Sequence, residues 1–307
     1  PTVCSPGQSI FSADGNTASG YKSLSGTSMA SPSQTGEAVL IRQYLADGWY
    51  PSGAPVPANA IVPSAALLKA MVVNSADNGV SGFTAPDNNI GYGRVMADNV
   101  LYFPGDTKRL IAIDHQPGLA FGDYIEYEIQ VTANTSPLEV TLCWTDFPAS
   151  PASAIQLVND LNLTVSRGAT SYKGNVYGSG ASITGGSADS RNVEEACLIS
   201  NPATGTWIVR IDAFAIPAGP QPFGLVVTGV VDGGSGALYL DRAEYGSTSE
   251  VEVQVIDTNA SSPLLVHVSS PTEPGGEDVT LTGGNGVFTG TLRLAPWSPG
   301  APHGAGH

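Results

Sequence analysis

One serine in the chain has a setting that suits nucleophilic chemistry, in the run Gly26-Thr27-Ser28-Met29-Ala30-Ser31-Pro32. A serine hydroxyl attacks a carbonyl when a general base takes its proton, and backbone N–H groups at a helix N-terminus can bind the resulting oxyanion. Small residues such as Gly26 let the backbone approach a substrate closely. The run therefore predicts Ser28 as a nucleophile with its own N–H as one oxyanion donor. The plainer alternative is a capped helix start.

A helix has to hold this serine, and the residues that follow it have helical spacing. The apolar positions recur once per turn: Leu40, Ile41, Tyr44 and Leu45. Gly48 stands where a C-terminal cap belongs. Because proline is tolerated in the first turn of a helix, Pro32 places the helix start close to Ser28. We therefore predict a helix from Ser28 to about Ala46.

Two further landmarks follow in the sequence. A second helix is predicted from Ser64 to about Asn74, and the run Gly-Tyr-Gly-Arg-Val at 91–95 predicts a turn that leads into a short helix through Leu101. The serine run, the Ala/Leu-rich helix and the Gly-Tyr-Gly-Arg-Val turn occur in the order in which similar segments occur in subtilisin-like serine proteases (subtilases). Residues 1–110 therefore resemble the C-terminal part of a subtilase catalytic domain.

This resemblance implies a fold and an activity. It implies that residues 1–110 form the C-terminal part of an α/β subtilisin-like domain. It also implies that Ser28 is the nucleophile of a serine endopeptidase that hydrolyses peptide bonds through an acyl-enzyme. Gly26 and Thr27 are then the substrate-binding residues beside it. The expected substrates are proteins and peptides.

The resemblance also implies three further catalytic side chains, and this chain does not supply them. In subtilases the triad Asp, the triad His and the oxyanion Asn all precede the serine by long distances. Asp14 is the sole carboxylate before Ser28, and the four histidines all follow it: His115, His267, His303 and His307. We therefore assign no triad Asp or His here. We expect the 307 residues alone to be inactive. Their expected partner is the missing N-terminal part of the catalytic domain. That part either belongs to the same longer polypeptide or is a separate fragment of a cleaved precursor.

Residues 111–231 have a different pattern, in which apolar and polar residues alternate. The clearest case is 124–131, and Gly, Pro and Asn separate such segments. Period-two strands between turns predict an antiparallel β-sandwich. Several phrases resemble the jelly-roll domain of alkaline bacterial subtilases, which is related in fold to the P-domain of proprotein convertases: Trp144-Thr145-Asp146, Leu157-Val158-Asn159-Asp160-Leu161 and Asp189-Ser190-Arg191-Asn192-Val193-Glu194.

Oxygen-bearing side chains occupy the ends of the predicted strands and the loops between them: Asp146, Asp160, Asn162, Asp189, Asn192 and Glu194. Carboxylate and amide oxygens are the ligands that Ca²⁺ prefers. The jelly-roll resemblance implies structural calcium in such loops, with all of these residues except Asn162 as ligands. The alternative is that the Asp or Asn side chain at each position only stabilises a turn, by a hydrogen bond to nearby backbone.

The last part of the chain begins at a glycine-rich joint, 232–236. Strand patterns then recur, and they predict a small Ig-like all-β module over 235–296, complete or partial. The tail 297–307 is rich in Pro and Gly, and we expect it to be disordered. The predicted fold class is thus mixed: part of an α/β domain, a jelly-roll sandwich and an Ig-like module.

Composition excludes some classes of function. The net charge is −15 and the pI is about 4.4, which argues against a nucleic-acid partner because such binding needs Lys/Arg-rich faces. No apolar run approaches the length that spans a membrane, so no membrane partner is expected. A weakly charged, acidic chain fits a secreted protein of bacterial type. Among the three cysteines, Cys143 and Cys197 could pair or remain free.

Two functions remain after this reading. The first is the C-terminal portion of a secreted serine endopeptidase. The second is a non-catalytic protease remnant whose β-domains bind a glycan, a polymer or a protein. Segments upstream of this chain that carry the Asp, the His and the oxyanion Asn would favour the first.

Overall fold

The computed structural model describes residues 1–232, 237–240, 245–246, 248–256, 262–270, 273–284 and 287–294. Most of the described chain is β-sheet, with two α-helices near the N-terminus. This agrees with a mixed, β-rich fold. Within the described residues, neither helix combines the length and the apolar character needed to cross a bilayer.

The N-terminal part contains both helices and two small sheets. A hairpin of β1 and β2 precedes helix α1, and helix α2 is followed by a two-stranded sheet of β3 and β4. The bounds are β1 Ile10–Ala13, β2 Tyr21–Leu24, α1 Thr27–Ala46, α2 Ala65–Asn74, β3 Ala76–Asp77 and β4 Arg94–Val95. Two short 3₁₀ helices cover Pro57–Asn59 and Ala97–Asn99.

The two predicted helices are confirmed, and their ends have clear causes. Helix α1 ends at Ala46, and Gly48 two residues later has φ 73°, a value that glycine adopts without strain. Helix α2 begins after Ser64, whose hydroxyl accepts a hydrogen bond from Leu67 N–H at 3.0 Å.

Two local predictions in this part are wrong. Pro32 is the sixth residue of α1, so it lies beyond the first turn, and its missing N–H leaves the Ser28 carbonyl without the usual i+4 donor. The short helix predicted through Leu101 is a single 3₁₀ turn, Ala97–Asn99. There, Glu37 of α1 accepts a hydrogen bond from Ala97 N–H at 3.1 Å, which ties the turn to the helix.

Residues 109–229 form two antiparallel sheets that face each other. The four-stranded sheet has the order β11-β7-β13-β5, and the five-stranded sheet has the order β10-β9-β8-β12-β6. The strand bounds are β5 Arg109–Leu119, β6 Tyr124–Val131, β7 Leu138–Trp144, β8 Asp160–Arg167, β9 Thr170–Gly178, β10 Ala181–Thr184, β11 Glu194–Ile199, β12 Gly205–Ala215 and β13 Gln221–Gly229. Their inward residues share one core, around Trp144, Leu163 and Phe223. The period-two prediction for these strands is confirmed.

A second core joins the helices to the outer face of the four-stranded sheet. Leu67 and Met71 of α2 share this core with Ala112 and Val226 of the sheet. A methyl group on Gly224 would lie 2.4 Å from the Cα of Leu67, so the helix backbone lies almost directly on the strand. The packing of α2 on the sheet therefore requires glycine at position 224.

A third group of strands follows at the C-terminal end. They form one sheet in the order β14-β15-β18-β17-β16, with a core that includes Val253, Leu281 and Phe288. The bounds are β14 Ala237–Leu240, β15 Glu250–Ile256, β16 Leu264–Ser270, β17 Glu273–Gly284 and β18 Val287–Arg293. The predicted disordered tail, 297–307, lies outside the described residues.

The cysteines carry no disulfide in the described chain. Cys143 and Cys197 are free and buried, and Cys4 is free and half-buried. Cys143 lies in β7 and Cys197 in the neighbouring β11, where Cys197 stands opposite Val140. Their thiols therefore pack as small apolar groups.

Candidate functional site

Ser28 is the second residue of α1, and the backbone around it is fixed on both sides. Gly26 precedes the helix with φ 154°, donates its N–H to Gly7 C=O at 2.8 Å and accepts from Met29 N–H at 3.0 Å. The Thr27 and Ser28 N–H groups precede that first intrahelical hydrogen bond. Such N–H groups, at the positive end of a helix dipole, are ready donors for an anion.

The side chain of Ser28 is exposed, as are Gly26 and Thr27. Within the described residues its hydroxyl makes no hydrogen bond. The two described histidines are engaged elsewhere: the ring of His115 stacks on Phe223 with centroids 4.7 Å apart, and His267 Nδ1 lies 2.8 Å from an Asp278 oxygen. His303 and His307 lie outside the described residues.

Apolar side chains are exposed on the same N-terminal part. On α1, Val39 and Leu40 are 58% and 54% exposed, although Ile41 next to them is fully buried. Phe11 and Tyr21 stack on the hairpin before Ser28, with centroids 5.3 Å apart, and both rings are largely exposed. Helix α1 therefore presents apolar residues on two sides, of which the described chain covers one.

A second cluster of functional side chains lies in the sandwich, around Asp160 at the start of β8. Asp160 is 7% exposed. Burial, reinforced by the charges of Asp189 and Asp146, raises its pKa to about 6. The sequence placed these three carboxylates far apart, and the structure brings them close enough to affect one another.

Glu195 belongs to this cluster, and sequence reasoning missed it. It is 1% exposed, and its Oε2 accepts a hydrogen bond from Leu163 N–H at 2.7 Å. Burial, followed by the charges of Asp189 and Asp160, raises its pKa to about 9. A methyl group on Gly174 would collide with its carboxylate, so the strand opposite leaves room for this acid. The available signal was a charged residue at the head of the apolar run 196–199.

The other predicted ligands have partners inside the protein. Asp146 accepts hydrogen bonds from the N–H groups of Phe147, Val158 and Asn159 at 2.7–2.8 Å, so it organises its loop. Glu194 lies 2.6 Å from Lys69 Nζ of α2.

Asp189 has strong donors of its own. Its Oδ2 accepts from the side-chain amides of Asn175 and Asn192, each at 2.6 Å. Although burial alone would raise it, these hydrogen bonds hold the pKa of Asp189 below its usual value. Asn192 thus contacts Asp189 through its amide nitrogen.

Among the described residues, three buried oxygens have no hydrogen-bond partner here: Asp160 Oδ1 and Glu195 Oε1 in the cluster, and Asn162 Oδ1 two residues further along β8. Within the part of the chain that the structure describes, no three His, Cys, Asp or Glu side chains form a metal-binding group. The unpaired set mixes two carboxyl oxygens with one amide oxygen. Leaving such oxygens buried and unpaired is costly, and a hard cation is the ligand that their chemistry fits.

Hydrogen bonds connect this cluster to the N-terminal part. Asn175 Oδ1 accepts from the Tyr92 hydroxyl at 2.6 Å, while its amide nitrogen donates to Asp189. The Tyr92 N–H donates to Thr2 C=O at 2.8 Å, and Cys4 N–H donates to Gly93 C=O at 2.8 Å. The segment that leads to Ser28 is thereby held against the same turn that contacts the sandwich.

Comparison with known proteins gives a family match for the N-terminal part. Residues 1–93 match the family model described as the subtilase family. Two Dictyostelium discoideum proteins, described as serine protease/ABC transporter B family proteins tagB and tagD, are 28% and 29% identical over 290 and 293 residues. Each alignment covers 75% of this chain but 15% and 16% of the relatives, so the chain spans a small part of their length.

The matched segment includes the loop of Ser28, both helices and the Tyr92 turn. The alignments with the two relatives are longer than this segment, so the similarity continues beyond it. The part of the chain that presents Ser28 is therefore similar to the subtilase family, and this similarity points to a serine protease-like function.

Proposed function

We propose that this chain is the C-terminal portion of a subtilase-type serine endopeptidase with Ser28 as its nucleophile. The observation that carries the proposal is an exposed serine hydroxyl at the start of a helix, within the segment that matches the family. The Ser28 hydroxyl attacks the scissile carbonyl, and the Ser28 N–H binds the developing oxyanion. Gly26 and Thr27 line the approach of the peptide substrate.

The general base and the group that orients it come from polypeptide outside this chain. Two exposed apolar surfaces lie on the part of the chain that carries Ser28: Val39 and Leu40, roughly three helical turns along α1, and the stacked Phe11 and Tyr21 on the hairpin before it. Such surfaces mark interaction sites. We propose that the N-terminal part of the catalytic domain covers them and brings the Asp, the His and the oxyanion Asn to Ser28.

Labelling with a fluorophosphonate tests the proposal, because this reagent reacts with a serine only when a base activates it. We expect Ser28 to be labelled in the complete protein and to remain unlabelled in the 307-residue chain. Heat-denatured protein serves as the control for non-specific reaction, and peptide mapping identifies the labelled residue. Labelling of the isolated chain would contradict its inactivity. Absence of labelling in both proteins would favour the non-catalytic remnant.

We further propose that the two facing sheets are a jelly-roll domain and that the last strands are an Ig-like module of a secreted protein. The contact of α2 with the four-stranded sheet supports a stabilising role for the sandwich. The link through Tyr92 and Asn175 supports the same role.

We also propose that the sandwich binds structural calcium at the Asp160 cluster. The proposed ligands are the unpaired oxygens of Asp160, Asn162 and Glu195. Asp189 and Asp146 add negative charge nearby. Asn192 and Glu194 then support the site indirectly, through Asp189 and Lys69. Calcium would supply the positive charge that these buried oxygens lack.

Calcium should raise the unfolding temperature of the chain, and the gain should be larger at about pH 8 than at about pH 5. Binding needs deprotonated Asp160 and Glu195, whose pKa values are raised to about 6 and about 9. In EDTA the trend is opposite. The folded chain holds the Glu195 proton more tightly than the unfolded chain, so stability falls as the pH rises from 4.5 through about 9. Thermal unfolding with calcium and with EDTA measures both trends.

The variant Asp160→Asn separates calcium binding from folding. It removes a buried charge while keeping the shape of the side chain, so in EDTA at about pH 8 it should be at least as stable as the original chain. It should nevertheless lose most of the calcium gain. The matched control Asp98→Asn changes an exposed carboxylate of the N-terminal part and should keep that gain. An unchanged gain in Asp160→Asn would contradict the proposed ligand set.

A further inference from the structure

A cleft with a volume of about 420 Å³ opens on the outer face of the five-stranded sheet, away from Ser28 in sequence. This volume lies in the range of small-ligand sites. Its floor includes Thr164 of β8 and Asp212 of β12, and its walls include Phe121, Phe214 and Lys173. The polar floor, the aromatic rings and the charges therefore decide together which ligand fits the cleft.

A ligand in this cleft can be recognised mainly through side chains, because most of the backbone of the floor strands is already paired. Strand β8 pairs with β9 and β12, and β12 also pairs with β6, so both floor strands are interior strands of the sheet. Most of their backbone N–H and C=O groups are therefore used within the sheet, and the Leu163 N–H, which lies before the β8–β9 pairing begins, is used by Glu195 Oε2. An extended peptide that binds by adding a strand needs a free edge, and the floor offers none.

Two aromatic rings border this polar floor. Phe121 lies in the turn between β5 and β6 and is 73% exposed, and Phe214 lies near the end of β12 and is 65% exposed. Inward neighbours of Phe214 such as Ala213 lie in the core, so the alternation of β12 aims the phenyl ring outward. Two exposed rings beside one cleft are a docking platform for an apolar face of a ligand.

The charged groups at and beside the cleft nearly cancel. Asp212 and Asp123 line it, and so does Lys173, which donates to Gly186 C=O at 3.1 Å. The Asp212 carboxylate accepts from the Arg210 guanidinium at 2.6 and 2.9 Å, so its charge is neutralised within the sheet. Arg210 also donates to Glu126 at 2.9 Å, so three carboxylates stand against two cations, and the single excess negative charge disfavours an anionic ligand. The geometry therefore favours a neutral, polyhydroxylated ligand.

We propose that this cleft binds a neutral saccharide. The C–H face of a pyranose ring packs on Phe121 and Phe214, because a phenyl ring offers a flat apolar surface. The sugar hydroxyls donate to Asp123 Oδ1, since Asp123 Oδ2 already accepts from Ala120 N–H, and they exchange hydrogen bonds with Thr164, while Lys173 donates to a ring or hydroxyl oxygen. The site would hold the protein on a polysaccharide and requires no peptidase chemistry.

Retention of the full chain on insoluble neutral polysaccharides tests this proposal. Cellulose, chitin, β-1,3-glucan and starch are the probes, with calcium present throughout. We expect retention on at least one of them, about tenfold weaker in Phe121→Ala and in Phe214→Ala. Thr164→Val removes one hydroxyl from the floor at constant shape and should also weaken retention. The matched control Phe147→Ala removes an exposed ring outside the cleft and should bind normally.

Three outcomes would overturn the proposal. These are failure to bind any of the four polysaccharides, equal retention of the double variant Phe121→Ala/Phe214→Ala, and ring-dependent binding of denatured casein in place of polysaccharide. The last outcome would identify a protein-binding surface. Because both rings are exposed, the variants should show the unfolding curve of the original chain, which separates lost binding from lost folding.

Discussion

Replacement of Ser28 by alanine in the complete protein lowers kcat for peptide hydrolysis by a factor on the order of 10⁶, if Ser28 is the nucleophile. Alanine removes the hydroxyl that forms the acyl-enzyme. The fold should not change, because the Ser28 hydroxyl makes no hydrogen bond among the described residues and alanine is a good helix former. Hydrolysis of a fluorogenic peptide, followed over long times, measures the loss.

Ser31→Ala is the matched control for this prediction. It deletes a hydroxyl from the same exposed face of α1, one turn further along, and should leave both kcat and KM unchanged. Activity that survives Ser28→Ala would exclude Ser28 as the nucleophile. Equal losses in the two variants would indicate damage to the helix in place of loss of a reacting group.

Gly224→Ala destabilises the chain by about 3 kcal/mol, because the added methyl group has no space. It would lie 2.4 Å from both the N and the Cα of Leu67 and 2.7 Å from the carbonyl carbon of Ala66. These are backbone atoms of α2, so the whole helix has to move away from the sheet. Unfolding in urea, followed by circular dichroism, measures the loss, and the unfolding temperature should fall by roughly 6–12 °C.

Gly36→Ala makes the same chemical change in α1 and should have the opposite sign. A methyl group on Gly36 has no neighbour within 4 Å, and alanine in a helix interior is favoured over glycine by about 1 kcal/mol. If Gly224→Ala were as stable as the original chain, the close contact between α2 and β13 would be wrong.

Much of the fold could be predicted because its signals are local. The spacing of Ile41, Tyr44 and Leu45 predicted α1, and the apolar positions 67, 68, 71 and 72 predicted α2. Alternation predicted the strands that enclose the sandwich core. Such patterns record which face of an element is buried, and they need no knowledge of the partner that buries it.

What could not be predicted depends on contacts between distant residues. Leu40 has helical spacing but is exposed, because the spacing says nothing about which neighbours are present. Glu195 was assigned no role from the sequence, and its burial follows from how β8, β9 and β11 meet. The Ser28 loop was identified from its residue types, whereas the exposure of Gly26, Thr27 and Ser28 became evident only from the structure.

The contact between α2 and the four-stranded sheet limits how this protein can be rearranged by recombination. Since Leu67, Val226 and Ala112 pack in one core, the boundary near residue 110 separates two sequence patterns but cuts through a shared interior. A sandwich grafted onto another catalytic domain would have to keep Gly224, and the new domain would need a helix that packs closely on it. We expect the two parts to have been inherited together, with exchange of modules confined to the strands after residue 232.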